Sequence, residues 1–209
     1  MVVIGAKGFA KELLEILYEN GVHEICFFDD VTKVVPKTLY GKYPVITDIE
    51  ELAEVLKLSP NFIIGVGGTV IREKVAQKII SVGGRLQSLV SNKASVGHFG
   101  TTYSDGTVIL NGAIITNDVT IGEGCIINKS SILSHDVTIG NYCEVSPGAR
   151  LLGRVIIDDY TSVGTNAVIL PSVKIGRNCV IGAGAVVTKD VPDNQAVVGI
   201  PAKAINSKC

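Results

Sequence analysis

From Ile109 to Val187 every sixth residue is a branched apolar one: Ile109, Ile115, Ile121, Ile127, Leu133, Ile139, Val145, Leu151, Ile157, Val163, Ile169, Ile175, Ile181 and Val187. Four places after each comes a small or slim residue, as in Ala113, Val119, Cys125, Ser131, Val137, Cys143, Ala149, Val155, Thr161, Ala167, Val173, Cys179, Ala185 and Val191. A helix repeats its apolar face near 3.6 residues and a half-buried strand near two. A period of six fits a chain that runs as a short strand, turns a corner and repeats. Three such sides close a triangular coil, and coils stack at about 4.8 Å, the spacing between paired strands. The pattern is that of a hexapeptide repeat and predicts a left-handed parallel β-helix, with the branched residue filling the interior and the slim one beside it. Gly122, Asn128, Gly140, Gly148, Gly164, Asn166, Gly176 and Gly182 recur where corners need unusual backbone angles.

The regular repeat ends at Val187-Thr188-Lys189-Asp190-Val191-Pro192. Proline cannot donate to a further ladder bond, so the stack is expected to stop there, with Val197 to Lys203 out of register. Before Ile109, residues Val96 to Gly100 read as a ragged first coil, and Thr101 to Thr107 do not fit the pattern. This assigns 91–209 to the coils and their tail. Cys125, Cys143 and Cys179 all take the slim inward position and differ by whole coils, so they are expected as stacked buried thiols rather than as a metal site or disulfides. With Cys26 in an apolar strand and Cys209 at the tail, the cysteines point to the cytoplasm. A formal net charge of −1 gives no reason to expect nucleic acid or an anionic membrane as partner. No apolar run reaches transmembrane length and no signal peptide opens the chain.

Residues 1–90 alternate strands with helices. Val2-Val3-Ile4 reads as a strand, Phe9 to Glu19 as a helix, Glu24 to Phe28 as a second strand and Phe62-Ile63-Ile64 as a third. Asp48 and Glu51 form a capping box before Leu52, Ala53 and Leu56. A helix from Val70 to Val82 stops at Gly83-Gly84, and Arg85 to Val90 leads into the coils. The alternation predicts a small, Rossmann-like parallel α/β sheet, which binds ligands beyond the carboxyl ends of its strands. Three features collect at that edge. Gly5-Ala6-Lys7-Gly8 lets amides at a helix start approach a phosphate. Asp29 and Asp30 follow the second strand, where a carboxylate can accept from ribose hydroxyls. Gly65 to Thr69, including Gly67, makes another backbone-rich turn. Lys7 and Arg72 are candidate phosphate partners. An ordinary tight turn would account for the same glycines, since the full G-x-G-x-x-G pattern is missing.

His23 and His98 lie outside the regular repeat; His135, in Leu133-Ser134-His135-Asp136, lies inside it, at an outward-facing corner. One coil is three hexads, so His135 stacks between Asn117 and Gly153. The bare backbone of Gly153 offers an amide to an oxyanion formed beside the imidazole, and Asp136 can orient the ring and stabilise its charged form. This is the base-plus-orienter arrangement of acyl transfer. A zinc enzyme on this fold needs three histidines from neighbouring coils, which the repeat lacks; no metal is expected.

The combination of the small α/β domain, the hexads, Val3-Ile4-Gly5-Ala6-Lys7-Gly8, Asn128, Ser134-His135-Asp136, Pro147-Gly148-Ala149, Gly153 and Gly199-Ile200-Pro201-Ala202-Lys203 resembles the sialic acid O-acetyltransferase-like sugar acyltransferases along essentially the whole chain. Bacterial N-acetyltransferases of nucleotide-linked 4-amino-4,6-dideoxy sugars are the best-understood members. The resemblance implies a homotrimer with active sites between subunits, acetyl-CoA along the coils and the nucleotide sugar on the α/β domain. It implies His135 as the base and Asp136 as its partner. Asn128 would place the acetyl or sugar group, and the Gly153 amide would bind the thioester oxygen. Gly164, Ala183, Ala185 and the tail near Pro201 would line the CoA channel. Two positions depart from the family pattern: Glu144 stands where a histidine near the acetyl group is common, and Phe9 where a histidine often follows the opening turn. The resulting expectation is an acetyl-CoA-dependent N-acetyltransferase of surface glycan synthesis acting on a UDP-, dTDP- or GDP-linked amino sugar. Sugar O-acetylation of the sialic acid type is the first alternative. A non-catalytic trimer that binds nucleotide sugars is another, against which the His135–Asp136 pair argues; a dinucleotide-dependent oxidoreductase is disfavoured by the small sheet.

Overall fold

The computed structural model describes residues 1–205 and divides the chain into two units, residues 1–92 and residues 93 onward. In the first unit β1 (Val2–Ile4) leads into α1 (Gly8–Glu19), followed by β2 (Cys26–Phe28), β3 (Thr38–Leu39), β4 (Tyr43–Ile46), α2 (Ile49–Leu58), β5 (Asn61–Ile64), α3 (Thr69–Ser81) and β6 (Arg85–Leu86). The sheet order is β3-β4-β2-β1-β5-β6, parallel except for the β3–β4 pair. It therefore has six strands where the apolar runs suggest three. β3 and β4 are short and carry Pro44, and β6 pairs through only two residues, so none has an apolar run long enough to stand out. The Asp48 cap is present: its Oδ1 accepts from the Glu50 and Glu51 amides at 2.8 and 3.0 Å. Val3, Phe27, Phe62 and Ile63 are fully buried between helices that contribute Leu13, Leu52, Ala76 and Ile79.

The second unit is a three-sided parallel β-helix. Strands of two residues pair with those eighteen positions on, Ile126–Ile127 with Glu144–Val145, Ile132–Leu133 with Arg150–Leu151, and Thr138–Ile139 with Ile156–Ile157. Every branched residue of the repeat is at most 1 % exposed. The slim residues sort by corner. One column is Ala113, Ser131, Ala149, Ala167 and Ala185; a second is valine throughout, Val119 to Val173; the third is Thr107, Cys125, Cys143, Thr161 and Cys179. Members of this third column donate to a backbone carbonyl of the neighbouring coil. Thr161 Oγ1 reaches Gly176 O at 2.7 Å, and the thiols of Cys125, Cys143 and Cys179 reach Gly140, Asp158 and Pro192 O at 3.0–3.2 Å. The three cysteines are buried and unpaired, as expected, but they satisfy carbonyls as well as filling space. Cys209 lies outside the described residues.

The register differs from the sequence reading at both ends. Thr102–Tyr103 is a strand paired with Thr120–Ile121, so Tyr103 takes the register position of Ile121, although it is 44 % exposed. Val96 pairs with Ile115, nineteen rather than eighteen residues on, which places a one-residue insertion between Val96 and Tyr103. At the other end the stack continues past Pro192. Val191 bridges to Ile175 and Val197 pairs with Ile181, both sixteen residues apart, so the last coil is two residues short at its Thr188–Asp190 corner. Lys203–Ile205 then folds back antiparallel on Ala196–Val198. The tail between them bonds Val186, whose amide donates to Gly199 O and whose carbonyl accepts from the Ala202 amide.

Candidate active site

His135 stands on the corner that follows the strand Ile132–Leu133. Its carbonyl accepts from the Arg154 amide at 3.0 Å, tying the corner to the coil that follows. Asp136 takes a left-handed backbone (φ 61°), which aspartate tolerates through local hydrogen bonding. The Nδ1 atom of His135 lies 2.6 Å from Asp136 Oδ2. A carboxylate only accepts, so in the neutral ring the proton sits on Nδ1 and Nε2 carries a free lone pair. The imidazole rests on Gly153: a β-carbon there would lie 2.5 Å from His135 Cε1 and 2.6 Å from Nε2. Any larger residue at 153 would displace the ring. The Gly153 amide donates to no acceptor among the described residues, while its carbonyl accepts from the Ser172 amide at 2.9 Å. Base, orienting carboxylate and free amide therefore meet at one half-exposed corner, an arrangement that can remove a proton and stabilise an oxyanion.

The residues expected at acetyl-CoA occupy other places. Asn128 is in the corner that follows Ile126–Ile127, where its Oδ1 accepts from the Lys129 amide at 3.1 Å and its carbonyl from Ser131. Gly164 and Ala183 share that corner. A β-carbon on Gly164 would meet the Ala183 amide nitrogen at 2.6 Å, so glycine there permits close coil stacking. Glu144 is half-buried on the strand that precedes it in register, Glu144–Val145. Within one chain, then, His135 and Asn128 stand on successive corners and are not brought together. Ala185 does not belong at a ligand surface: it is 0 % exposed, with its side chain in the slim interior position. Pro201 is exposed on the tail.

At the carboxyl edge of the parallel sheet lies a cavity of ≈ 350 Å³ whose lining includes Gly5, Lys7, Asp29, Asp30, Gly65 and Gly67. Gly8 is exposed at the start of α1 and does not line it. Gly5 has φ 98°, and a β-carbon on Gly65 would fall 2.8 Å from Ile4 O, so both turns require glycine. Arg72 is not a phosphate partner. It is fully buried, and its Nη1 donates to the carbonyls of Ile64 and Val66 at 3.1 and 2.8 Å, holding the Gly65–Gly67 turn. Asp29 is not an open ribose acceptor either. Its Oδ1 accepts from the Val31 and Thr32 amides and its Oδ2 from the Ala6 amide and the Thr32 hydroxyl, which uses its four acceptor sites. Asp30 lines the cavity and pairs with Lys78 of α3. The sequence reading missed Thr32 and Lys78; the Asp-x-x-Thr spacing after β2 was the available signal for the first.

Burial works against the Asp29 charge, but hydrogen bonds from Thr32, Val31 and Ala6 outweigh it and hold the carboxyl below its ordinary value. A depressed folded value means that the contribution to stability is fully present above the unfolded value of about 3.9 and is lost as pH falls through the folded one. Asp29→Asn is expected to lower the melting temperature at neutral pH and to flatten its fall as pH drops below about 4. An unchanged acid limb in a melting series would count against the clamp.

Both units of the chain are similar to known proteins. Residues 1–79 match the family model described as the PglD N-terminal domain, and residues 118–153 and 154–189 match the bacterial transferase hexapeptide model. Among solved structures, the acetyltransferase domain of PglB from Neisseria gonorrhoeae, in complex with acetyl coenzyme A, is 30 % identical, with 98 % of each chain covered and a TM-score of 0.88. The chain belongs to the sialic acid O-acetyltransferase-like family of sugar acyltransferases. This acyltransferase is also similar to perosamine N-acetyltransferase from Caulobacter crescentus, solved with CoA and GDP-perosamine, at 28 % identity and TM-score 0.89 over 99 % of this chain and 96 % of that one. AntD, an N-acyltransferase from Bacillus cereus, shares the fold at 19 % identity and TM-score 0.53, with 58 % of this chain and 81 % of that one covered. Comparison with curated proteins gives no significant match. The β-helix of the acyltransferase is the left-handed kind expected from its hexads. Among the described residues, no helix is long and apolar enough to cross a membrane.

Proposed function

We propose that this acyltransferase moves the acetyl group of acetyl-CoA to the 4-amino group of a nucleotide-linked 4-amino-4,6-dideoxy sugar. The observation that carries the reading is the His135 imidazole, held by Asp136 against the bare Gly153 backbone. In the reaction the amine lone pair attacks the thioester carbonyl carbon. His135 Nε2 takes the amine proton, Asp136 stabilises the imidazolium, and the Gly153 amide donates to the oxygen that becomes negative. Collapse re-forms the carbonyl, breaks the C–S bond and releases CoA thiolate, which takes up a proton. No side chain becomes acylated. The relatives support the co-substrates: the PglB domain was solved with acetyl-CoA, and the Caulobacter enzyme with CoA and GDP-perosamine, including with one histidine replaced by asparagine or alanine.

The active unit is a homotrimer, with His135 of one subunit facing the Asn128–Gly164–Ala183 corner of its neighbour. Two features support this: those corners are separate in one chain, and the outer positions of two faces are mostly apolar, interrupted by Glu144 and Ser162 on one and by Arg150 on the other. Ile114 and Val180 are 43 % and 37 % exposed there, while the third face presents Thr120, Thr138 and Lys174, with Ile156 as its one apolar outer residue in that run. Unpaired cysteines support a cytoplasmic site, at the nucleotide-sugar stage of surface glycan synthesis.

A thiol-release assay with acetyl-CoA and UDP-, dTDP- and GDP-linked 4-amino-4,6-dideoxy sugars tests the reading, with sialic acid as the hydroxyl control. Rapid CoA release with an amino sugar is expected. Release only with the hydroxyl acceptor would move the assignment to O-acetylation.

A further inference from the structure

We infer that the acyltransferase reads the base of its nucleotide through Asp30 and Lys78 and that the base it selects is guanine; this deepens the proposed function and rests on the sheet-edge cavity holding a nucleotide. A doubly wound sheet places the diphosphate at the turn after its first strand, near Gly5 and Lys7, and the nucleoside at the end of the adjacent strand. That adjacent strand is β2, which ends in Asp29-Asp30. Asp29 has no acceptor site left, as described above. Asp30 lines the cavity, its side chain is 26 % exposed, and it bonds Lys78 through Oδ2 only. Its Oδ1 has no partner among the described residues. Lys78 is not itself in the cavity lining; its Nζ lies 5.8 Å from the centroid of the Phe28 ring, which is, and it has donors left beyond the one given to Asp30. The bond fixes an order of groups across this edge: the open acceptor Oδ1, the acceptor Oδ2, then the donor Nζ.

Each base can be laid against that order. Guanine presents two donors and an acceptor in sequence, its exocyclic amine, N1–H and O6. These complement Oδ1, Oδ2 and Nζ one for one. Uracil and thymine present acceptor, donor, acceptor, so with the central N–H on Oδ2 and one carbonyl on Nζ, the other carbonyl faces the Oδ1 lone pairs. Adenine and cytosine present a ring nitrogen acceptor where the carboxylate also needs a donor. A ribose diol would use the carboxylate but leave the ammonium without a strong acceptor. A polar group that the bound base covers and leaves facing the wrong partner is what gives such sites their selectivity.

The test is calorimetric binding of GDP, UDP, dTDP and XDP to the full-length protein, repeated with Asp30→Asn. The wild type should bind GDP about ten- to a hundredfold more tightly than UDP or dTDP, the range expected for one bidentate base contact. Xanthine carries a carbonyl where guanine carries the amine, and asparagine offers an amide N–H where aspartate offers an oxygen. Asp30→Asn should therefore lose affinity for GDP and gain it for XDP, an exchange that a misfolded variant could not give. UDP or dTDP binding as tightly as GDP would overturn the base assignment and leave nucleotide binding intact. So would an unchanged ratio of GDP to XDP in the variant. Failure of every diphosphate to bind would remove the nucleotide site itself and the inference with it.

Discussion

Replacing His135 by alanine is expected to lower kcat by about 10²–10⁴-fold, the usual contribution of a positioned general base. That range corresponds to roughly 3–5 kcal/mol of transition-state stabilisation. The KM values for acetyl-CoA and for the amino sugar should change little, because the proton moves only as the C–N bond forms. Binding of either substrate alone should also survive, since the imidazole is exposed and supports no buried residue. Gly153 would lose the ring that rests on it but keep its hydrogen bond to Ser172. Steady-state rates on the alanine variant decide the matter. A kcat within a few-fold of wild type would remove His135 from the mechanism and leave the Gly153 amide as a feature of the turn alone.

The second large effect lies in the interior. Ile157 is 1 % exposed and stacks between Ile139 and Ile175 on a face whose inward position is isoleucine in four successive coils, Ile121 to Ile175. Truncating it removes methyl groups that the neighbouring coils cannot replace, because their spacing is set by the backbone ladder. Ile157→Ala is expected to cost about 2–5 kcal/mol in a urea unfolding series. The adjacent Ile156 has the same chemistry but faces outward. A loss at Ile157 no greater than that of Ile156→Ala would contradict the interior packing.

The β-helix was legible because one position in six obeys a single steric demand over many coils, and repetition makes a weak local signal unmistakable. The same logic placed Gly153 beneath His135, since eighteen residues is one coil. The ends were not legible, because register there depends on corner length. One extra residue before Tyr103 and two missing before Val191 leave the residues apolar enough but shift which of them face inward. The sheet-edge residues were legible as a group but not one by one. Asp29, Asp30 and Arg72 are all charged and near a turn, and only the geometry shows that Asp29 and Arg72 are consumed by backbone groups while Asp30 keeps an acceptor free. Ala185 went astray for a simpler reason, since a small residue can belong to the interior or to a ligand channel and its register position decides for the interior.

A stack of parallel strands is a template: its last rung offers the same row of amides and carbonyls that recruited it, and nothing in a coil's own pattern forbids another molecule's strand from docking there. Here each of the three exits is blocked by a different device. The antiparallel strand Lys203–Ile205 covers one, the Gly199–Ala202 tail occupies Val186 on the second, and Pro192, which has no N–H, follows Val191 on the third. Residues 192–205 thus act as a polymerisation stop. They cover the edges from which a further rung could otherwise be added, so the length of the stack is set by these residues and not by the hexad pattern.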